Sequence, residues 1–108
     1  MPLFIKTEKF KDKTLELSNS ERKIFLLMHQ KWVNKINQSG LLIHSGYLIN
    51  EKKIPGGGGL LILEAKDYLS AQKVIEKDPM ITNDLVTWEL QEWIPINGIQ
   101  PELFNHLG

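Results

Sequence analysis

The sequence predicts an α+β domain, a four-stranded antiparallel sheet with two helices on one face, from three observations. The hydrophobic periodicity switches in the order strand, helix, strand, strand, helix, strand along the 108 residues. A serine and a glutamate stand three apart, at Ser18 and Glu21, where a long helical pattern begins. Two apolar segments, 41–49 and 60–63, flank a polar, glycine-rich connection and read as a hairpin. The simplest architecture with this order is the ferredoxin-like βαββαβ arrangement.

The first strand spans 3–10, LeuPheIleLysThrGluLysPhe, β-prone at both ends and loosely alternating, and the polar segment after it reads as a loop to Asn19. The helix opened by Ser18 runs to about Ser39, where Gly40 is suited to the left-handed conformation that ends helices. At 100° per residue Phe25, Met28, His29, Trp32, Val33 and Ile36 form one side, and Lys23, Gln30 and Asn34 the other. The strands at 41–49 and 60–63 are apolar at consecutive positions, so both faces are expected to be buried. Gly56 to Gly59 between them read as a flexible lid or hairpin loop; no phosphate-binding GlyLysSer/Thr follows. A second helix spans 67–77 with Asp67 as cap, and AspPro at 78–79 stops it. A last strand at 84–94 places Val86, Trp88 and Leu90 on one face and Thr87, Glu89 and Gln91 on the other. The domain is 1–95; residues 96–108, with Pro, Gly and Pro, form a C-terminal extension with one helical turn at 101–107.

Thirteen basic against thirteen acidic residues leave no excess to attract phosphate backbones or anionic lipid, so neither nucleic acid nor a membrane is expected as partner. No apolar run approaches the ~20 residues of a membrane span, and the N-terminus lacks the apolar core of a signal peptide. With no cysteine there is no disulfide and no thiolate, and a cytoplasmic location fits. His29, His44 and His106 lie on different elements, which argues against a metal.

His29, inside the apolar stripe, is either a hydrogen-bonded core histidine or a group for proton transfer near neutral pH. In the second strand Ile43, Ser45 and Tyr47 share one face and Leu42, His44, Gly46 and Leu48 the other. Either face can line a pocket, so His44, Ser45 and Tyr47 are candidate ligand contacts, with plain packing as the alternative. Trp32, Trp88 and Trp93 are core or interface residues, and together they can also wall a site for a planar ligand.

The chain resembles the YCII-related domains, small members of the dimeric α+β barrel superfamily. The resemblance rests on His29, Gly40, the Ser45–Gly46 pair, Gly59 opening LeuLeuIleLeu, Ala71, AspProMet at 78–80 and Trp93, and it covers about residues 3–95. It implies a small enzyme acting without a cofactor on a small organic molecule, often aromatic or lactone-like, with a His–Asp pair as its site. Here those positions are His29 and Asp78, the aspartate lying at the C-terminal end of the second helix, against that end's partial negative charge. Leu26 stands where many relatives carry Arg, with Arg22 one turn back as a partial substitute for binding an anionic group, and Tyr47 stands where many carry Pro. These departures favour the alternative, a non-catalytic small-ligand-binding or protein-interaction module. Because strands 41–49 and 60–63 are apolar on both sides while the helices cover one, a homodimer stacked sheet on sheet is expected, as the resemblance also implies.

Overall fold

The computed structural model describes residues 1–96, in which the four strands form one antiparallel sheet in the order β2-β3-β1-β4. The expected turn at 101–107, with Leu103 and Phe104, and His106 lie outside the described residues.

Strand β1 (Leu3–Phe10) is central, pairing with β3 (Pro55–Glu64) on one side and β4 (Val86–Trp93) on the other. Its even-numbered residues, Phe4 and Lys6 among them, face the helices and are fully buried at these two positions. The segment expected as loop contains one turn of helix, α1 (Asp12–Leu15). The Lys11 carbonyl accepts from the N–H groups of Thr14 and Leu15, and the Thr14 hydroxyl donates to the Leu85 carbonyl at 2.7 Å, so the turn is pinned to the start of β4.

Helix α2 (Asn19–Gln38) starts on the capping box: the Glu21 N–H donates to Ser18 Oγ at 3.2 Å and the Ser18 N–H to Glu21 Oε1 at 3.1 Å. It ends at Ser39, and Gly40 takes φ +94°, the left-handed region expected of it. Of the predicted stripe, His29 is buried and Phe25, Trp32, Val33 and Ile36 are half-buried, but Met28 is exposed. Helix α3 (Tyr68–Ile75) is capped by Asp67, whose side chain accepts from the Ser70 N–H at 2.8 Å. A further turn, α4 (Pro79–Thr82), precedes β4. The core lies between the sheet and these helices and joins Phe4, Ile43, Leu61, Leu63, Ala71, Ile75 and Leu90, with Trp32, Val33 and Ile36 of α2 against it.

Two expectations about the hairpin are corrected. The glycines are strand and not lid: the turn is formed by Asn50 to Ile54, where the Asn50 side chain accepts from the Lys52 and Ile54 N–H groups and Lys53 takes φ +62°. Gly58 and Gly59 pair with Lys9 and Glu8 in the middle of the sheet. The reason is steric. A Cβ on Gly58 would stand 2.6 Å from the Glu8 carbonyl oxygen, and one on Gly59 would stand 2.9 Å from that of Gly46. Strand β2 (Ile43–Ile49), expected to be buried on both faces, is an edge strand in which Ile43 alone is buried. The sheet face away from the helices presents Leu3, Ile5, Ile62 and Trp93, the last 41% exposed. No described helix is long and apolar enough to cross a membrane.

Candidate active site

His29 lies midway along α2 and points at the sheet because it occupies the helix's inward stripe. Its two ring nitrogens are both engaged: Nδ1 is 2.8 Å from Asp78 Oδ1, and Nε2 is 2.7 Å from Ser45 Oγ on β2. Ser45 reaches the ring because it shares with Ile43 the face of β2 that turns to the helices.

Asp78 corrects one sequence expectation. Helix α3 ends before it, and Asp78 is the N-cap of α4, with Pro79 in the first helical position. Its Oδ1 accepts from the Met80 N–H at 2.9 Å, so the carboxylate sits at the favourable end of a turn, not at the unfavourable end of a helix. AspPro therefore starts a turn and also delivers a carboxylate to the histidine. The other oxygen, Oδ2, accepts from Lys6 Nζ at 2.7 Å, and Lys6 in turn reaches Glu8 Oε1 at 2.8 Å. Lys6 and Asp78 are both completely buried. Burial pushes the Asp78 carboxyl toward a higher pKa, but the hydrogen bond to His29 and the Lys6 charge outweigh it and hold the group below the usual carboxylate range.

An ionised Asp78 only accepts, so His29 Nδ1 carries the hydrogen. In the neutral ring Nε2 then accepts from the Ser45 hydroxyl; in the protonated ring it donates to it. Ser45, His29 and Asp78 thus form a nucleophile–base–orienter geometry, with every distance inside hydrogen-bond range.

The site opens on a cavity of about 470 Å³ between α2 and the sheet, bordered by His29 and Ser45, by Glu8 and Arg22, and by the apolar Phe10, Phe25, Leu26 and Met80. That volume suits a ring-sized ligand. Gly57 to Gly59 also border it. Gly59 leaves β3 bare where a Cβ would stand 3.4 Å from Glu8 Cγ, so the run read as a lid helps form the floor. Arg22 borders the cavity with its guanidinium donating to the Leu15 carbonyl, and Tyr47 borders it at the open edge, 64% exposed. His44 is exposed on the opposite face of β2, away from the cavity. Trp32 packs against the core with its ring centroid 5.7 Å from that of His29 and does not border the cavity. Lys6 and Glu8 were missed by sequence reasoning. Their signal was phase: in 3–10 they alternate in step with Phe4 and Phe10 and so share the face that packs inward. Among the described residues no three His, Asp or Glu side chains cluster to hold a metal.

Strand order and one-sided helices define a ferredoxin-like α+β fold. The chain is similar to the 5-chloro-2-hydroxyhydroquinone dehydrochlorinase of Burkholderia phenoliruptrix, solved with 2,5-dihydroxybenzoquinone, at TM-score 0.63 and 18% identity over 85% of this chain and 93% of that one. It is also similar to an antibiotic biosynthesis monooxygenase, at TM-score 0.54 and 15% identity over 90% of this chain and 100% of that one. At these identities the likeness is one of fold. No family model matches the chain, and no curated protein does.

Proposed function

We propose that the protein is a small enzyme of the YCII-related kind that moves protons on, or eliminates a group from, a small ring-shaped organic molecule, aromatic or lactone-like, without a cofactor. The observation that carries this reading is the Ser45–His29–Asp78 chain on the wall of a ring-sized cavity. His29 is the general base or acid, Asp78 orients it and stabilises its protonated form, and Ser45 passes the proton between Nε2 and the ligand. Arg22 and Tyr47 contact the ligand from the cavity rim. The ligand named with one neighbour, a dihydroxybenzoquinone, is a molecule of this size and supports the substrate class. The test is a thermal-shift screen of hydroxylated and chlorinated hydroquinones, quinones and small lactones, followed by turnover of each hit monitored by NMR. His29→Ala is expected to keep binding and lose turnover. Loss of affinity with no turnover by the native protein instead identifies a ligand-binding module, the reading favoured by Leu26 on the cavity wall; absence of any hit overturns the substrate class.

The protein is further proposed to be a cytoplasmic homodimer paired through the open sheet face. Leu3, Ile5 and Ile62 lie there half-buried and Trp93 exposed, uncovered by the helices, and completing the burial of each is worth at most roughly 1.5 to 3 kcal/mol. Two copies stacked sheet on sheet cover both faces in one closed two-fold contact. Sedimentation equilibrium at micromolar concentration is expected to give twice the chain mass; a species of 12.4 kDa refutes the pairing.

A further inference from the structure

We propose that Glu8 is a second proton-handling residue of this cavity, set against the Ser45–His29 pair, so that the site takes a ring with a removable proton at one end and a proton-accepting group at the other. The inference rests on the acid–base reading above and deepens it.

Five side chains form one continuous chain of contacts: Ser45 Oγ to His29 at 2.7 Å, His29 to Asp78 at 2.8 Å, Asp78 to Lys6 at 2.7 Å, and Lys6 to Glu8 at 2.8 Å. Two of the three inner members, Asp78 and Lys6, are fully buried, and the two ends, Ser45 and Glu8, both border the same cavity. Glu8 is not needed to neutralise Lys6, because Asp78 already matches that charge. With neutral His29 the chain holds two carboxylates and one ammonium, and one added proton brings it to zero. Its side chain is 10% exposed and lies over the bare stretch of β3, with Cγ and Cδ only 3.4 and 3.5 Å from where a Cβ on Gly59 would be. The other charged or titratable groups bordering the cavity are Arg22 and Lys23 of α2 and Tyr47 of β2.

In the step this allows, the Glu8 carboxylate takes a proton from the ligand, breaking an O–H or C–H bond and leaving its electron pair in the ring. At the other end the Ser45 hydroxyl gives its proton to the ligand and recovers one from Nε2 of protonated His29. Glu8 ends as the neutral acid and His29 as the neutral ring. The ligand is isomerised, or loses the group that received the proton, and no oxidant or reductant takes part.

The test uses hydroquinone, a neutral ring with a donor at each end, titrated into protein labelled for carboxyl and imidazole NMR. Both the Glu8 carboxyl carbon and the His29 ring nitrogens are expected to shift with one saturation curve, and Glu8→Gln is expected to bind about tenfold more weakly. Shifts at His29 with Glu8 unmoved overturn the inference and leave the acid–base reading standing. If neither residue moves, the inference fails, and the acid–base reading is decided by the wider screen above. The carboxyl measurement is made on the unsubstituted protein, so the outcome stands even if Glu8→Gln folds poorly.

Discussion

Asp78→Asn is the substitution with the most to say about this structure. The asparagine keeps the shape and the cap to the Met80 N–H, but removes the charge that Lys6 faces at 2.7 Å inside a fully buried site. Removing one partner of a buried ion pair costs about 3 to 5 kcal/mol, because the other charge is left without compensation. Glu8 still reaches Lys6, at 2.8 Å, which puts the expectation at the low end, about 3 kcal/mol. Against the roughly 5 to 15 kcal/mol that holds a domain together, this leaves a folded but weakened protein. Urea unfolding followed by tryptophan fluorescence, at equal protein concentrations, reads the difference. The pH dependence is the sharper part. The folded-state value of Asp78 lies below its ordinary one, so its contribution is complete above the unfolded-state pKa of about 4 and is lost as pH falls through the folded value. The native protein should therefore lose stability from about pH 4 downward, and the gap to Asp78→Asn should narrow there. A gap below about 0.5 kcal/mol at pH 7, or one that stays constant in acid, refutes the buried-pair account.

Gly58→Ala drives a Cβ to within 2.6 Å of the Glu8 carbonyl in the middle of the sheet, and should cost about 1 to 3 kcal/mol in the same assay; an unchanged midpoint would mean that β1 and β3 do not approach this closely. Ser18→Ala removes the acceptor of the capping box and should cost about 1 kcal/mol, with the loss of helicity confined to the first turn of α2 when followed by circular dichroism and amide shifts. The ladder amide at Gly59 should exchange with solvent as slowly as those near Leu61, since β3 is paired on both edges there; fast exchange would restore the lid.

The elements that the sequence determined are those whose signals are local. Ser18 and Glu21 cap each other across three residues, Gly40 meets the one backbone conformation other residues avoid, and the alternation in 86–90 names the inward face of β4 whatever lies opposite. The His29–Asp78 pairing came into view through resemblance, while the contact itself joins groups 49 residues apart and exists because α3 ends early enough for Asp78 to begin a new turn beneath α2. Tertiary structure alone decided three things. It made the glycine run a strand, because nothing in four glycines favours strand over loop until the Glu8 and Gly46 carbonyls close in from either side. It left β2 exposed by placing it at the edge, a position that consecutive apolar residues do not encode. And it buried Lys6 and Asp78 together, converting a lysine that reads as surface charge into the counter-ion of the candidate site. A cap or a face is set by neighbours a few residues away, whereas an ion pair, a cavity floor and a sheet edge are set by which distant segments the packed core brings into contact.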